Sequence, residues 1–175
     1  NATLSIAGDL DITKTKELIK AYFGDIPKGN AVMQPDIQEP PLGGEKTATV
    51  FDDVQLPALM MGYRMPPQKS DDAYALEMAG TVLSGGASSR MYKRLVDEDQ
   101  TAAFVQVFPF SLEQGGAFIM LAFANADKEI KDMKPAIEQE IEKLQNELIS
   151  EREFQKIQNQ MESAFIQSNS RMAGI

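Results

Sequence analysis

Val82-Leu83-Ser84-Gly85-Gly86-Ala87-Ser88-Ser89-Arg90-Met91-Tyr92-Lys93-Arg94 is the stretch around which the rest of this chain can be arranged. Leu76, Ala79 and Leu83, with Ala75, Met78 and Val82 beside them, give the residues leading into it the spacing of a well-buried helix. Gly85-Gly86 breaks that helix, since glycine reaches backbone angles that close a tight turn. Ser88 or Ser89 then offers a hydroxyl to the free amides of a second helix that runs to about Glu98.

Downstream, residues 102–108 and 117–124 read as strands, separated by Pro109 and Gly115-Gly116 in a hairpin-like pattern. A long helix follows, with Ile137, Ile141, Leu144 and Leu148 on one face and Pro135 expected in its first turn. Ser150-Glu151-Arg152-Glu153 has the form of a capping box, and it opens a last helix carrying Phe154, Ile157, Met161 and Phe165. Upstream, Ser70 caps the first helix of the quoted stretch, with Asp71 and Asp72 where negative charge is favoured. Residues 58–63 form a strand, apolar on both faces as a central strand would be, and residues 47–51 another. Strand, strand, helix, helix, then the same again, predicts an α+β fold. Its form is a two-layer sandwich with a mixed or mainly antiparallel sheet covered by helices.

The texture differs before residue 46. Pro27, Pro35, Pro40 and Pro41, with Gly29, Gly43 and Gly44, predict an extended linker over residues 25–45. Ahead of it, residues 3–7 read as a short strand stopped by Gly8-Asp9. Asp11 then caps a helix with Ile12, Ile19 and Phe23 on one face and Gly24 at its end. The chain therefore divides into residues 1–28, the end of a preceding domain, a proline-rich linker at 29–45, and a second domain at 46–175. Both ends read as cut, so the chain is expected to be a fragment of a longer protein.

Hydrophobic residues make up 43% of the 175, enough to build a core. The formal net charge of -9 argues against nucleic acid as a partner, because phosphate binding needs clustered Lys and Arg, and equally against an anionic membrane surface. No apolar run reaches the roughly 18 residues of a membrane-spanning helix. No signal-peptide pattern opens the chain. Cysteine is absent, which excludes disulfides, thiolate zinc sites and cysteine nucleophiles. Histidine is absent as well.

Few residues invite chemistry. Ser88 and Ser89 are hydroxyl nucleophiles in type, but no histidine can act as their base and no lysine stands at an activating spacing in sequence, so helix capping is the reading for them. The same turn lacks the Gly-Lys-Ser/Thr ending of a phosphate-binding loop. Asp97-Glu98-Asp99 lacks the glycine and spacing of a calcium loop and reads as a solvated face, as do Asp52-Asp53 and Asp71-Asp72. Arg90 is a candidate for an ion pair across the turn or for a substrate contact. The ten methionines read as adaptable core filling.

Taken together, Gly85-Gly86-Ala87-Ser88-Ser89-Arg90 resembles the helix-turn-helix signature of the pitrilysin/insulinase-type zinc metallopeptidases. The likeness extends along nearly the whole chain. Residues 1–9, Asn-Ala-Thr-Leu-Ser-Ile-Ala-Gly-Asp, resemble that family's strand leading to Gly-Asp. Tyr22-Phe23-Gly24-Asp25-Ile26-Pro27 resembles its helix end and linker start, and Ser150-Glu151-Arg152-Glu153-Phe154 one of its later helix starts.

The resemblance implies a protein of homologous halves that enclose a chamber, each half made of two related α+β domains. The first domain of an active half carries a His-x-x-Glu-His zinc motif. This chain would begin at the last strand and helix of such a first domain and continue through most of a second, which binds no zinc and shapes the substrate chamber. No catalytic or metal-binding residue is then expected here. Zinc would belong to the parent, with its ligands outside this fragment, and Ser88, Ser89 and Arg90 are the candidate chamber or structural residues. Where the family's non-zinc half often carries an Arg and a Tyr that grip the substrate backbone, this chain has Val96 and Ala103, so it looks like the second domain of a zinc-bearing half.

The implied function is that of a non-catalytic piece of a bacterial zinc endopeptidase or oligopeptidase. The alternative is an inactive protease-like structural or partner subunit. Expected partners are peptide substrates, met through the full-length protein, and the homologous other half or subunit. A periplasmic or cell-envelope parent is expected over a cytoplasmic one. The fragment itself is expected to self-associate, since Leu4, Ile6, Ile19 and Phe23 sit on one strand and one helix that cannot bury them alone.

Overall fold

A computed structural model describes residues 2–33 and 39–170. In chain order it contains α1 (Ile12–Phe23), β1 (Ala58–Met65), α2 (Asp71–Ser84), a π-helix (Tyr92–Glu98), β2 (Ala102–Ser111), β3 (Gly116–Ala124), α3 (Ile130–Asn146) and α4 (Glu151–Asn169). Leu42–Asn159 form one compact unit, and the described residues on either side of it a second. Asn1, Pro35 with the rest of 34–38, and residues 171–175 lie outside the described residues.

Within the first unit, β1, β3 and β2 form an antiparallel sheet in that order. β3 is the central strand. Its run Ala-Phe-Ile-Met-Leu-Ala-Phe is apolar at both parities, as burial between two neighbours requires. Residues 58–63, expected at the centre from the same kind of pattern, lie in β1 at an edge instead. One parity of each strand faces the core. Val105 and Val107 of β2, Phe118, Met120 and Ala122 of β3 and Met65 of β1 are buried. Leu83 of α2, Met91, Leu95 of the π-helix, and Met133 and Ile137 of α3 complete that core. The other parity carries Met60, Phe104, Phe108 and Phe110, all exposed. The helices thus cover one face of the sheet, as expected for a two-layer α+β fold.

Pro109 was expected to end its strand, yet β2 continues through it to Ser111, with Pro109 opposite Phe118. The reason is position: β2 is an edge strand, where a missing N–H on the outer side removes no ladder bond. Ala103 is an extra residue between Ala102 and Phe104, where the register shifts by a bulge. Residues 3–7 and 47–51, expected as strands, form none. Both runs are exposed, and an extended segment without a neighbour has no ladder to join.

The helices start largely where the sequence places their caps. Asp11 accepts the Lys14 N–H at 3.0 Å for α1, and Ser70 accepts the Ala73 N–H at 3.1 Å for α2. α3 begins earlier than expected, because the Asp132 carboxylate accepts the Glu129 N–H at 2.8 Å and starts the helix there. Pro135 consequently falls inside the helix rather than in its first turn. α3 also ends at Asn146, which leaves Leu148 outside it and 98% exposed.

α2 lies close along β2, and two residues set the distance. A Cβ on Gly80 would stand 2.6 Å from Pro109 Cγ, so only glycine allows the helix to approach the proline ring. Ser84, in the last turn, is buried and uses its whole hydrogen-bonding capacity. It donates to the Gly80 carbonyl at 3.3 Å, and accepts the Val107 N–H at 2.8 Å and Gln106 Nε2 at 3.2 Å. The outward amide of an edge strand is thereby satisfied by a helix side chain.

Ser84→Ala should lower unfolding stability by about 1–3 kcal/mol, since it strands the buried Val107 N–H. Gly80→Ala should also destabilise, by roughly 1 kcal/mol net: overpacking against the rigid ring of Pro109 outweighs the helix-propensity gain. Urea denaturation midpoints of the two variants against the parent chain check both, and a stabilised Gly80→Ala would show that α2 can slide away from β2.

Candidate functional site

The two glycines of the turn have separate tasks. Gly85 has the angles of an inverse γ-turn (φ -72°, ψ 65°) and donates to the Thr81 carbonyl at 2.8 Å, but any Cβ there would collide with that carbonyl. Gly86 has φ +91°, a conformation that side chains rarely adopt, with open space around it. Its carbonyl accepts the Ser89 N–H at 3.0 Å, and the Ser89 carbonyl accepts the Lys93 N–H at 3.0 Å, which launches the next helix. That helix widens to a π-helix, closed by Asp99 N–H on the Arg94 carbonyl at 2.9 Å.

Arg90 projects from this start onto α4. Its Nε donates to Glu153 Oε1 at 2.9 Å and its Nη2 to Glu153 Oε2 at 3.1 Å, a parallel two-bond fork. Glu153 is already fixed by its own helix start. Oε2 accepts the Ser150 N–H at 3.1 Å and its hydroxyl at 3.0 Å, while Ser150 Oγ accepts the Glu153 N–H at 3.3 Å, the reciprocal capping box read from the sequence. The Arg90 hydrogen bonds, helped by those from Ser150 and working against partial burial, pull the Glu153 carboxyl down from 4.5 to about 2. The same pairing raises the Arg90 guanidinium.

One helical turn further along α4, Lys156 Nζ donates to Ser88 Oγ at 2.6 Å. Ser89 is buried and its hydroxyl has no partner. Neither serine hydroxyl therefore bonds a helix-start amide, the role expected from sequence. The structure brings Ser88 and Arg90 together with Lys156 and Glu153, residues 68 and 63 positions away, into one polar clasp between the turn and α4. Sequence reading found Arg90, Ser150 and Glu153 but not their union, and it missed Lys156 and Ser84 altogether. A capping box is a local signal, whereas a pairing over that separation leaves no pattern in a single sequence.

The remaining candidates are placed elsewhere. Asp99 Oδ2 lies 2.8 Å from Arg94 Nε, so the acidic run at 97–99 closes the end of the π-helix. Asp52 accepts the Asp53 N–H at 2.8 Å in an exposed turn. Among the described residues, no three or more Asp, Glu, His or Cys side chains converge to hold a metal ion. Val96 packs partly buried against the core, and Ala103 is the exposed bulge residue. Chemically, the clasp holds two helices together. Its lysine and arginine are both engaged, and its carboxylate is fully ionised at neutral pH.

Residues 1–161 match the family model described as the peptidase M16 inactive domain. The chain belongs to that family. Bacterial proteins are among the relatives of this peptidase M16 inactive domain. The zinc protease PqqE of Helicobacter pylori is 29% identical over 181 residues, a match that takes in 100% of this chain and 41% of that protein. The crystal structure of a protease from Helicobacter pylori superposes with a TM-score of 0.86 at 27% identity, over 96% of this chain and 41% of that one. A peptidase M16 inactive domain from Pseudomonas fluorescens shares the fold, with a TM-score of 0.66 at 14% identity over 88% of this chain and 37% of that one. The chain thus spans about two fifths of the relatives it matches.

Removing the clasp should loosen α4. Arg90→Met is expected to cost about 1–2 kcal/mol, a charged hydrogen-bonded pair discounted for its partial exposure. The pH dependence has a definite sign. The folded carboxyl of Glu153 titrates below its ordinary value, so its contribution is complete above about pH 4.5 and fades as pH falls towards 2. Denaturant midpoints measured across that window should fall more steeply for the parent chain than for Glu153→Gln. Parallel curves would mean that the fork contributes nothing in solution.

Proposed function

We infer that this chain is the non-catalytic domain of a bacterial zinc-dependent endopeptidase or oligopeptidase and forms part of the wall of its substrate chamber. The observation that carries the reading is the match of residues 1–161 to the peptidase M16 inactive domain. The described residues agree with it in one respect. The polar contacts of Ser88 and Arg90 join the turn to α4, and the Glu153 carboxyl is moved away from the range a general acid or base needs at neutral pH. Hydrolysis in the parent would use a zinc-activated water and a glutamate base, all supplied by chain outside this piece. Peptides and the homologous other half or subunit are its partners on this reading. Residues 1–28 are the end of the preceding domain, 29–45 a linker and 46–175 the second domain.

Two measurements test this. The product of the complete reading frame should hydrolyse an unstructured peptide, lose that activity to a chelator and regain it with zinc, whereas this chain alone should be inert at equal concentration. A full-length product that binds no zinc and cleaves nothing would make the domain part of a structural or partner subunit. For the domain division, limited trypsin digestion should cut at Lys28 before Lys93 or Arg94, because the former lies in an exposed run without regular structure. Early cleavage at Lys93 or Arg94 would move the boundary.

A further inference from the structure

The two edges of the sheet are built differently. β2 is blocked along its outer side in three ways: the Val107 N–H is taken by Ser84, Pro109 has no N–H to offer, and the bulge at Ala103 twists the strand. β1 has none of these devices. All eight of its residues pair with β3 in unbroken register from Ala58–Phe123 to Met65–Gly116, and no proline interrupts them. Its one charge is Arg64. Met60 is 68% exposed and Tyr63 46%, and a Cβ on Gly62 would meet nothing within 4 Å. Such an edge is a template for another strand.

We propose that β1 is a strand-pairing edge and that its occupant is the β1 of a second copy of this chain, joined antiparallel about a two-fold axis at Met61. Parity restricts the pairing to a two-fold axis through a residue, and side-chain fit places that axis at Met61. Pairing residues of equal parity keeps the helices of both copies on one side and makes one six-stranded sheet. It sets Met60 against Gly62 and Leu59 against Tyr63 of the second copy, a large side chain meeting open space in the first pair and two apolar side chains meeting in the second. Arg64 meets Ala58, so no like charges face each other although the chain carries a net charge of -9. The helix-free faces of the two sheets, with Met60, Phe104, Phe108 and Phe110, become continuous. The expected orphan strand at residues 3–7 is not needed, since that segment forms no strand. A strand pair of this length buries less than the roughly 1,200 Å² of a standard stable interface, so the dimer is a weak, concentration-dependent one.

The test uses the whole 175-residue chain. Light scattering across a concentration series should show the mass rising from 19.3 kDa towards twice that value. The double variant Met60→Lys/Gly62→Lys places lysines opposite each other only in the dimer, and should weaken association at least tenfold with an unchanged circular dichroism spectrum. Phe110→Lys, on the same face at the far edge, should associate as the parent does. Hydrogen exchange of the unaltered chain gives a reading free of any folding defect: amides of residues 58–65 should gain protection as concentration rises. A mass fixed at 19.3 kDa throughout would overturn the proposal. So would loss of association in Phe110→Lys, which would place the contact on the sheet face. Full protection of β1 at the lowest concentration would do the same, since another segment of the same chain would then hold the edge.

Discussion

A single hydroxyl ties the helix layer to the sheet. Ser84 takes the outward amide of Val107, the side chain of Gln106 and its own helix carbonyl at once. Everything that follows α2 inherits its position from there. The chain turns at Gly85 and Gly86 immediately after this anchor, so the start of the next helix is placed within a few residues of a fixed point. Had the edge of β2 been left to solvent, the same amide would have been free to pair elsewhere. The contact therefore fixes packing and closes one sheet edge in the same step.

The clasp between Arg90 and Glu153 completes what Ser84 begins. Ile157 is the buried residue of α4, and one apolar side chain gives weak orientation to a helix. A guanidinium fork is directional, and its acceptor is held rigid by the capping box that also starts the helix. Lys156 on Ser88 adds a second point one turn on, which prevents rotation about the first. The Gly-Gly turn and the first turn of α4 are in effect one polar junction, placed on the buried platform of Leu83, Met91 and Leu95.

Much of this was legible in the sequence because it is local. The caps at Asp11 and Ser70, the capping box at Ser150 and the break at Gly85-Gly86 each depend on residues within three or four positions, and each stands where it was read. Strand order was not legible. β1 and β3 are both apolar at successive positions, and only tertiary placement puts β3 at the centre. Pro109 misled for the same reason, since a proline ends a strand or merely marks an edge according to which neighbours the strand has. Residues 47–51 have the composition of a strand and none of the partners. Among the site residues, Arg90 announced itself through its motif, but Glu153 had already been explained as a cap, and nothing local distinguishes a cap from a cap that also binds an arginine.

The direction of the shift on Glu153 bears on what kind of domain this is. A group that exchanges protons in catalysis must be held near the working pH, which for a carboxyl means an apolar site or a like charge that raises it. Here the strongest influence on a carboxyl is a guanidinium and the start of a helix, both of which lower it to about 2 and leave it ionised throughout the physiological range. An acid so placed cannot serve as a proton shuttle at neutral pH, and the arginine's charge is already paired with it through two hydrogen bonds. The physics that makes the junction firm is thus the physics that makes it inert. A wall of a reaction chamber requires the first property and is not harmed by the second, so the clasp and the proposed non-catalytic role are consistent at the level of a single ion pair.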